Sequence, residues 1–148
     1  VLQALTKSCA LAGVRLGYLM GDAAALREIS EKLQPWNVSS LAQAAGAAAA
    51  GDTKYFERMR EIVRTERAFL EQTLRRAGYA PLPSRANFLL FEGEKDLAAR
   101  LKGRGIAIRT CTDFVGLTPA EGRQYYRIGV RPRAENEALA AALSEEKR

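Results

Sequence analysis

The residues best placed to do chemistry lie in one short run, Leu5-Thr6-Lys7-Ser8-Cys9-Ala10-Leu11-Ala12-Gly13-Val14-Arg15-Leu16-Gly17-Tyr18. Lys7 follows the apolar residues Val1, Leu2, Ala4 and Leu5, which would hold its amine against apolar surface. An uncharged lysine amine is the group that condenses with carbonyls. Arg15, between Gly13 and Gly17, carries a flat fork of donors that suits a phosphate. The two glycines leave room for backbone to pass close to a ligand. Taken by spacing alone, the same two cations also fit a solvated turn.

A second group of cations lies far downstream. Strand alternation through Tyr125-Tyr126-Arg127-Ile128-Gly129-Val130-Arg131 puts Tyr125, Arg127, Gly129 and Arg131 on one face. Arg109 ends an earlier apolar run. These arginines fit either the solvent side of a half-buried sheet or a clamp for a carboxylate or phosphate. Trp36 and Asn37 have two readings as well. They are a loop anchor with a turn residue, or the border of a site.

Composition removes several other chemistries. There is no histidine among the 148 residues, so His ligation of a metal and every Ser-His or Cys-His arrangement are excluded. Cys9 and Cys111 are too far apart for a zinc spacing and read as buried thiols of a reducing, cytoplasmic protein. No apolar run approaches the roughly 20 residues of a membrane span, and no leader pattern is visible. With 47% hydrophobic and 27% charged residues, the composition is that of a soluble globular protein. The net charge of +6 is spread along the chain without interleaved aromatics, which points to phosphorylated small molecules rather than nucleic acid.

As a string, T-K-S-x-x-L-A-G-x-R-x-G-Y from Thr6 to Tyr18 resembles the active-site signature of fold-type-I pyridoxal-phosphate enzymes. Within them it is most similar to the branch of histidinol-phosphate aminotransferases and threonine-phosphate decarboxylases. The resemblance implies pyridoxal 5'-phosphate as cofactor, bonded covalently to Lys7, with Arg15 on its phosphate and the Thr6 hydroxyl beside it. Ala4 stands where the family usually has a further phosphate-binding serine. The segment P-W-x-V-x-x-L-A-Q-x-A from Pro35 resembles the family's stretch at the border of the active site and the subunit interface. I-R-x-C-x-x-F-x-G-L from Ile108, with Y-Y-R-I-x-V-R-x-x-x-E-N from Tyr125, is more similar to the decarboxylases, because in the aminotransferases the same strand more often runs without an arginine at the position of Arg131. Carried over by position, Arg127 would bind the substrate carboxylate and Arg109 its phosphate, and Thr118 to Gly122 reads as an insertion between them.

The reaction so implied is decarboxylation of L-threonine O-3-phosphate to (R)-1-amino-2-propanol O-2-phosphate, a step of cobalamin biosynthesis. A histidinol-phosphate-type aminotransferase and a non-catalytic assembly piece are the alternatives. The partners expected are a phosphorylated amino acid and a second copy in a homodimer, with no nucleic acid and no membrane. The chain opens without methionine inside a strand-like run. The resemblance accordingly implies a long preceding portion, bearing an acidic partner for the pyridine nitrogen and groups that stack on the ring. The 148 residues alone are then expected to be catalytically weak.

The elements that must position these groups follow from periodicity and turn chemistry. Val1 to Leu5 reads as a buried strand end and Val14 to Met20 as a second strand. Helices are expected over Ala23–Leu33 behind an Asp22 cap, over Leu41–Ala50 behind Ser39 or Ser40, and over Thr53–Ala77 up to a Gly78 cap. A small α+β layer follows, with strands over Ala86–Phe91, Ile106–Arg109 and Tyr125–Val130 and helices over Lys95–Lys102 and Arg133–Leu143. By the resemblance the fold is α/β, the C-terminal part of a fold-type-I transferase. Residues 1–52 would end the large cofactor-binding domain, and 53–148 would form the small α+β domain.

Overall fold

Alternating short strands and amphipathic helices assemble into two units, Val1–Arg58 and Met59–Arg148, in a computed structural model that describes residues 1–145. The break between them falls within one long helix.

In the first unit, β1 (Leu2–Ala4) pairs with β2 (Gly17–Leu19) as an antiparallel hairpin, with Ala4 opposite Gly17. One helical turn, α1 (Leu5–Ser8), opens the connection between them. The expected burial of β1 is not seen: Val1 and Leu2 are exposed, because a two-stranded ribbon leaves both faces open. The second strand is also shorter than expected, since Val14 and Arg15 lie in turns and Arg15 has a left-handed φ of 56°. Helix α2 (Ala23–Glu31) is capped by Asp22, whose Oδ1 accepts from the Ala24 and Ala25 N–H groups at 2.9 and 3.1 Å. Its apolar residues Ile29 and nearby Leu33 are exposed. Helix α3 (Ser40–Gly51) is capped by Ser39 rather than Ser40, and Gln43 donates to the Val38 carbonyl instead of closing a capping box. The alanine-rich composition of α3 brings Ala42 and Gly46 inward, with Gly46 against Leu16 and Leu5.

Helix α4 (Thr53–Arg76) runs on into the second unit. It ends at Gly78, whose φ of 80° lets the Gly78 and Tyr79 N–H groups reach the Arg75 and Leu74 carbonyls at 3.0 and 2.9 Å. Three antiparallel strands follow in the order β3 (Phe88–Glu94), β5 (Arg123–Gly129), β4 (Arg109–Thr110). Leu89, Phe91, Tyr126 and Ile128 point from this sheet to one face. There they form a core with Leu70 and Leu74 of α4, Leu97 and Leu101 of α5 (Leu97–Gly103), and Leu139 and Leu143 of α6 (Arg133–Glu145). β3 is therefore buried on one face and not on both: Phe88 and Leu90 are half-buried, as expected for an antiparallel rather than a parallel sheet.

The strand expected over Ile106–Arg109 is displaced to Arg109–Thr110. The Ile106 N–H is still held by the Leu101 carbonyl at 2.9 Å as part of the α5 exit, so residues 105–108 stand off from β5. A cleft of about 350 Å³ opens there, lined among others by Ile106, Ile108, Arg127, Gly129 and Arg131.

At the far end of β3, burial alone would raise the Glu94 carboxyl. Its own backbone N–H, the Tyr79 hydroxyl at 2.9 Å, and the Arg123 and Arg100 guanidinia outweigh that and hold it below its ordinary value of 4.5. A carboxylate with a lowered folded-state pKa contributes stability that is present above its unfolded value and lost as pH falls through the folded one. Chemical denaturation of the wild type should therefore weaken progressively below about pH 4.5, and Glu94→Gln should flatten that part of the profile.

Candidate active site

The twelve residues between the two strands of the hairpin place Lys7, Thr6 and Arg15. The loop is tied from within. The Leu5 N–H donates to the Leu16 carbonyl at 3.0 Å, and Cys9 returns to the Leu5 carbonyl at 3.1 Å. Leu5 is the one buried residue of α1. Two positions on, about 200° round the turn, Lys7 points away from Leu5 and is exposed. Within this chain the amine thus lies open, and not against apolar surface as its neighbours in sequence suggest. Thr6 is half-buried, and the Ser8 hydroxyl donates to the Ala4 carbonyl at 3.3 Å. Arg15 donates through Nη1 to the Ala12 carbonyl at 3.1 Å from a left-handed backbone, and Ala10 has a φ of 54°. Non-glycine residues held in that region are uncommon and cluster at ligand sites.

Gly17 has a different purpose from the one its position beside Arg15 suggests. A Cβ there would stand 2.8 Å from the Gln3 carbonyl oxygen, so the missing side chain permits the hairpin pairing. Around Gly13, by contrast, a Cβ would meet nothing within 4 Å.

An exposed primary amine and a guanidinium on one tied loop are the groups required by an aldehyde and a phosphate. The donor set therefore fits pyridoxal phosphate, with Lys7 for the aldehyde carbon and Arg15 for the phosphate. Trp36 is 98% exposed with a φ of 60°, so it anchors no loop within this chain.

In the second unit, the register of β4 on β5 puts Arg109 directly opposite Arg127. Opposed residues of an antiparallel pair project from the same face, so the two guanidinia share one side of the sheet, with Leu90 next in the row. Two like charges so close need relief, and each arginine finds an aromatic ring. Arg127 lies 4.7 Å over Phe88 and Arg109 lies 5.3 Å over Phe114. Arg109 also donates to Asp113 Oδ2 at 2.8 Å, whereas the Arg127 guanidinium has no hydrogen bond or ion pair among the described residues. Cys111 is buried beside them. Desolvation pushes its thiol up, opposed by the Arg109 and Arg127 charges and reinforced by Asp113. Arg131 donates through Nε to Glu135 at 2.8 Å, and that hydrogen bond raises its already high pKa.

The exit of β5 is held by Asn136, the last residue of the motif that begins at Tyr125, together with Glu66 and Arg133, which no motif marks. Asn136, 2% exposed, accepts from the Arg131 N–H at 3.2 Å and donates to both the Arg131 carbonyl at 2.6 Å and Glu66 Oε2 at 2.8 Å. The other oxygen of Glu66 accepts from Arg133 Nε at 2.9 Å, and that guanidinium lies 4.2 Å over Phe69. A signal for Glu66 was present in the sequence. It falls in register with Met59, Val63, Leu70 and Leu74 on the apolar stripe of α4, where a carboxylate needs a partner.

Comparison with known proteins identifies the family of the chain. The family model for aminotransferase class I and II matches residues 1–143. Threonine-phosphate decarboxylase of Salmonella typhimurium is 38% identical over 97% of this chain and 40% of its own length. Histidinol-phosphate aminotransferase of an Anaeromyxobacter species is 37% identical over 97% of this chain and 39% of its own. The chain thus spans about 40% of the length of these curated relatives. Among solved structures, histidinol-phosphate aminotransferase from Sinorhizobium meliloti, in complex with pyridoxal-5'-phosphate, superposes with a TM-score of 0.80 at 29% identity, covering 97% of this chain and 40% of that one.

Proposed function

The chain belongs to the aminotransferase class I and II family, a fold-type-I family dependent on pyridoxal phosphate, and from that premise we propose that it serves decarboxylation of L-threonine O-3-phosphate. In this reading residues 1–52 end the cofactor-binding domain and residues 53–148 form the small domain. The observation that carries the reading is the opposed pair Arg109 and Arg127. Two guanidinia on one sheet face suit a substrate with two anionic groups, a carboxylate and a phosphate. Histidinol phosphate, an amino alcohol, has only the phosphate, whereas glutamate, the amino donor of the aminotransferase reading, has two carboxylates and suits the same pair.

Pyridoxal phosphate, when bound, supplies an aldehyde that takes a primary amine and a ring that accepts the electron pair of a bond broken at the substrate Cα. Lys7 would hold it through its primary amine, and once released that amine would be the group to carry a proton to the substrate Cα. Arg15 and the Thr6 hydroxyl would bind its phosphate end. Arg127 takes the substrate carboxylate, and the way it orients that group decides which Cα bond breaks. Arg109 takes the substrate phosphate. The exposed apolar side chains Leu19, Leu33, Trp36 and Leu41 of the first unit support a homodimer in the whole protein.

The test is made on the full chain loaded with cofactor and given L-threonine O-3-phosphate. Carbon dioxide release without a 2-oxo acid product is expected, and Arg127→Ala should raise KM by about 10- to 100-fold, as loss of a charged hydrogen-bonded partner does. Formation of 2-oxoglutarate from glutamate without carbon dioxide would transfer the assignment to the aminotransferase. That second reading is favoured by the nearly equal identity to both relatives.

A further inference from the structure

The two opposed arginines are not equivalent, and the difference between them defines a further residue of the site. Arg127 is held over Phe88 with its guanidinium otherwise unengaged among the described residues. Arg109 has one arm of its fork already engaged by a carboxylate of its own loop, Asp113, four residues on and 2.8 Å from Nη2. Phe114, the next residue, supplies the ring beneath the same guanidinium.

We propose that Asp113 is an intramolecular stand-in for the anionic group of the substrate, a carboxylate that occupies Arg109 until a phosphate displaces it. The inference rests on the reading that Arg109 takes the substrate phosphate. Three observations support it. Both side chains are more than half exposed, 53% for Arg109 and 62% for Asp113, so an incoming anion can reach the pair and the pair can open. Asp113 sits in the turn region between Cys111 and Gly116, outside β4 and β5, so its release breaks no sheet hydrogen bond. Arg109 faces the like charge of Arg127 across the strands, and Asp113 compensates that repulsion while no ligand is bound.

The physical consequence is a weakened grip on anions. A phosphate binding at Arg109 must either displace Asp113 or tolerate its negative charge, so the carboxylate raises the dissociation constant and speeds release of a phosphorylated product. Exposed ion pairs are weak, so the effect is modest.

The experiment uses the full chain loaded with cofactor, which fills the phosphate site at Arg15. Inorganic phosphate serves as a competitive inhibitor. Asp113→Asn is expected to bind phosphate about two- to fivefold more tightly than wild type, the range an exposed ion pair permits, and Asp113→Glu should stay near wild type. In the Arg109→Ala background, the gain from Asp113→Asn should vanish, as a double-mutant cycle requires. If Arg109→Ala weakens phosphate but Asp113→Asn leaves it unchanged or weaker, the stand-in is overturned while the role of Arg109 survives. If Arg109→Ala leaves phosphate inhibition untouched, the role of Arg109 falls and the stand-in falls with it.

Discussion

Lys7→Ala in the full chain, loaded with pyridoxal phosphate and treated with borohydride, is expected to carry no pyridoxyl label at position 7. Turnover should fall by about 10³- to 10⁴-fold or more, the scale on which removal of a reacting side chain is felt. Lys7 is the sole primary amine of the loop between the hairpin strands; the next lysine is Lys32, beyond α2 and ion-paired to Glu28. Lys7→Arg keeps a cation at the position but removes an amine able to bond an aldehyde, so it should lose the label as completely. Peptide mapping of the reduced protein is the measurement. A label found on another lysine, with activity retained in Lys7→Ala, would overturn the role given to this residue and leave Arg15 an ordinary surface cation.

The second large effect concerns stability. Glu66→Ala should destabilise the second unit by about 2 to 3 kcal/mol, read from the shift of the denaturation midpoint. Its buried carboxylate joins Arg133 on one oxygen and Asn136 on the other, and Asn136 in turn grips the backbone of Arg131 on both sides. Breaking a wholly buried pair costs more than this. The Arg133 side chain is 46% exposed, however, and recovers hydration when its partner is removed. Glu66→Gln should cost less but not nothing. An amide has one acceptor oxygen, and both partners are donors. A midpoint unchanged in Glu66→Ala would mean that water replaces the carboxylate without loss.

Several elements could be read directly from residue order. The Asp22 cap, the Gly78 stop, the helical stripe through Leu70 and Leu74, and the alternation that buries Tyr126 and Ile128 while Arg127 stays on the other face are local properties. Each depends on residues within a few positions of one another, so no knowledge of packing is needed. The expectations that missed did so where a backbone contact or a helical rotation, neither of them encoded in composition, intervened. Ile106 to Ile108 has the composition of a strand, but the Leu101 carbonyl keeps Ile106 in the α5 exit. Gly17 beside a candidate phosphate-binding arginine suggests a ligand, but the Gln3 carbonyl across the hairpin requires it. Lys7 among apolar residues suggests burial, yet about half a helical turn separates the inward Leu5 from the outward amine.

Residue order alone therefore determined the identity of the reactive groups, the family signature around Lys7 and Arg15, and the element types, because short-range geometry and side-chain chemistry suffice for these. Only the tertiary structure decided that Arg109 faces Arg127, that Asp113 engages one of them and not the other, and that Glu66 reaches across 70 residues to Asn136. Strand register and helix packing are set by the simultaneous burial of one core. A register displaced by a single residue would have turned Arg109 to the opposite face.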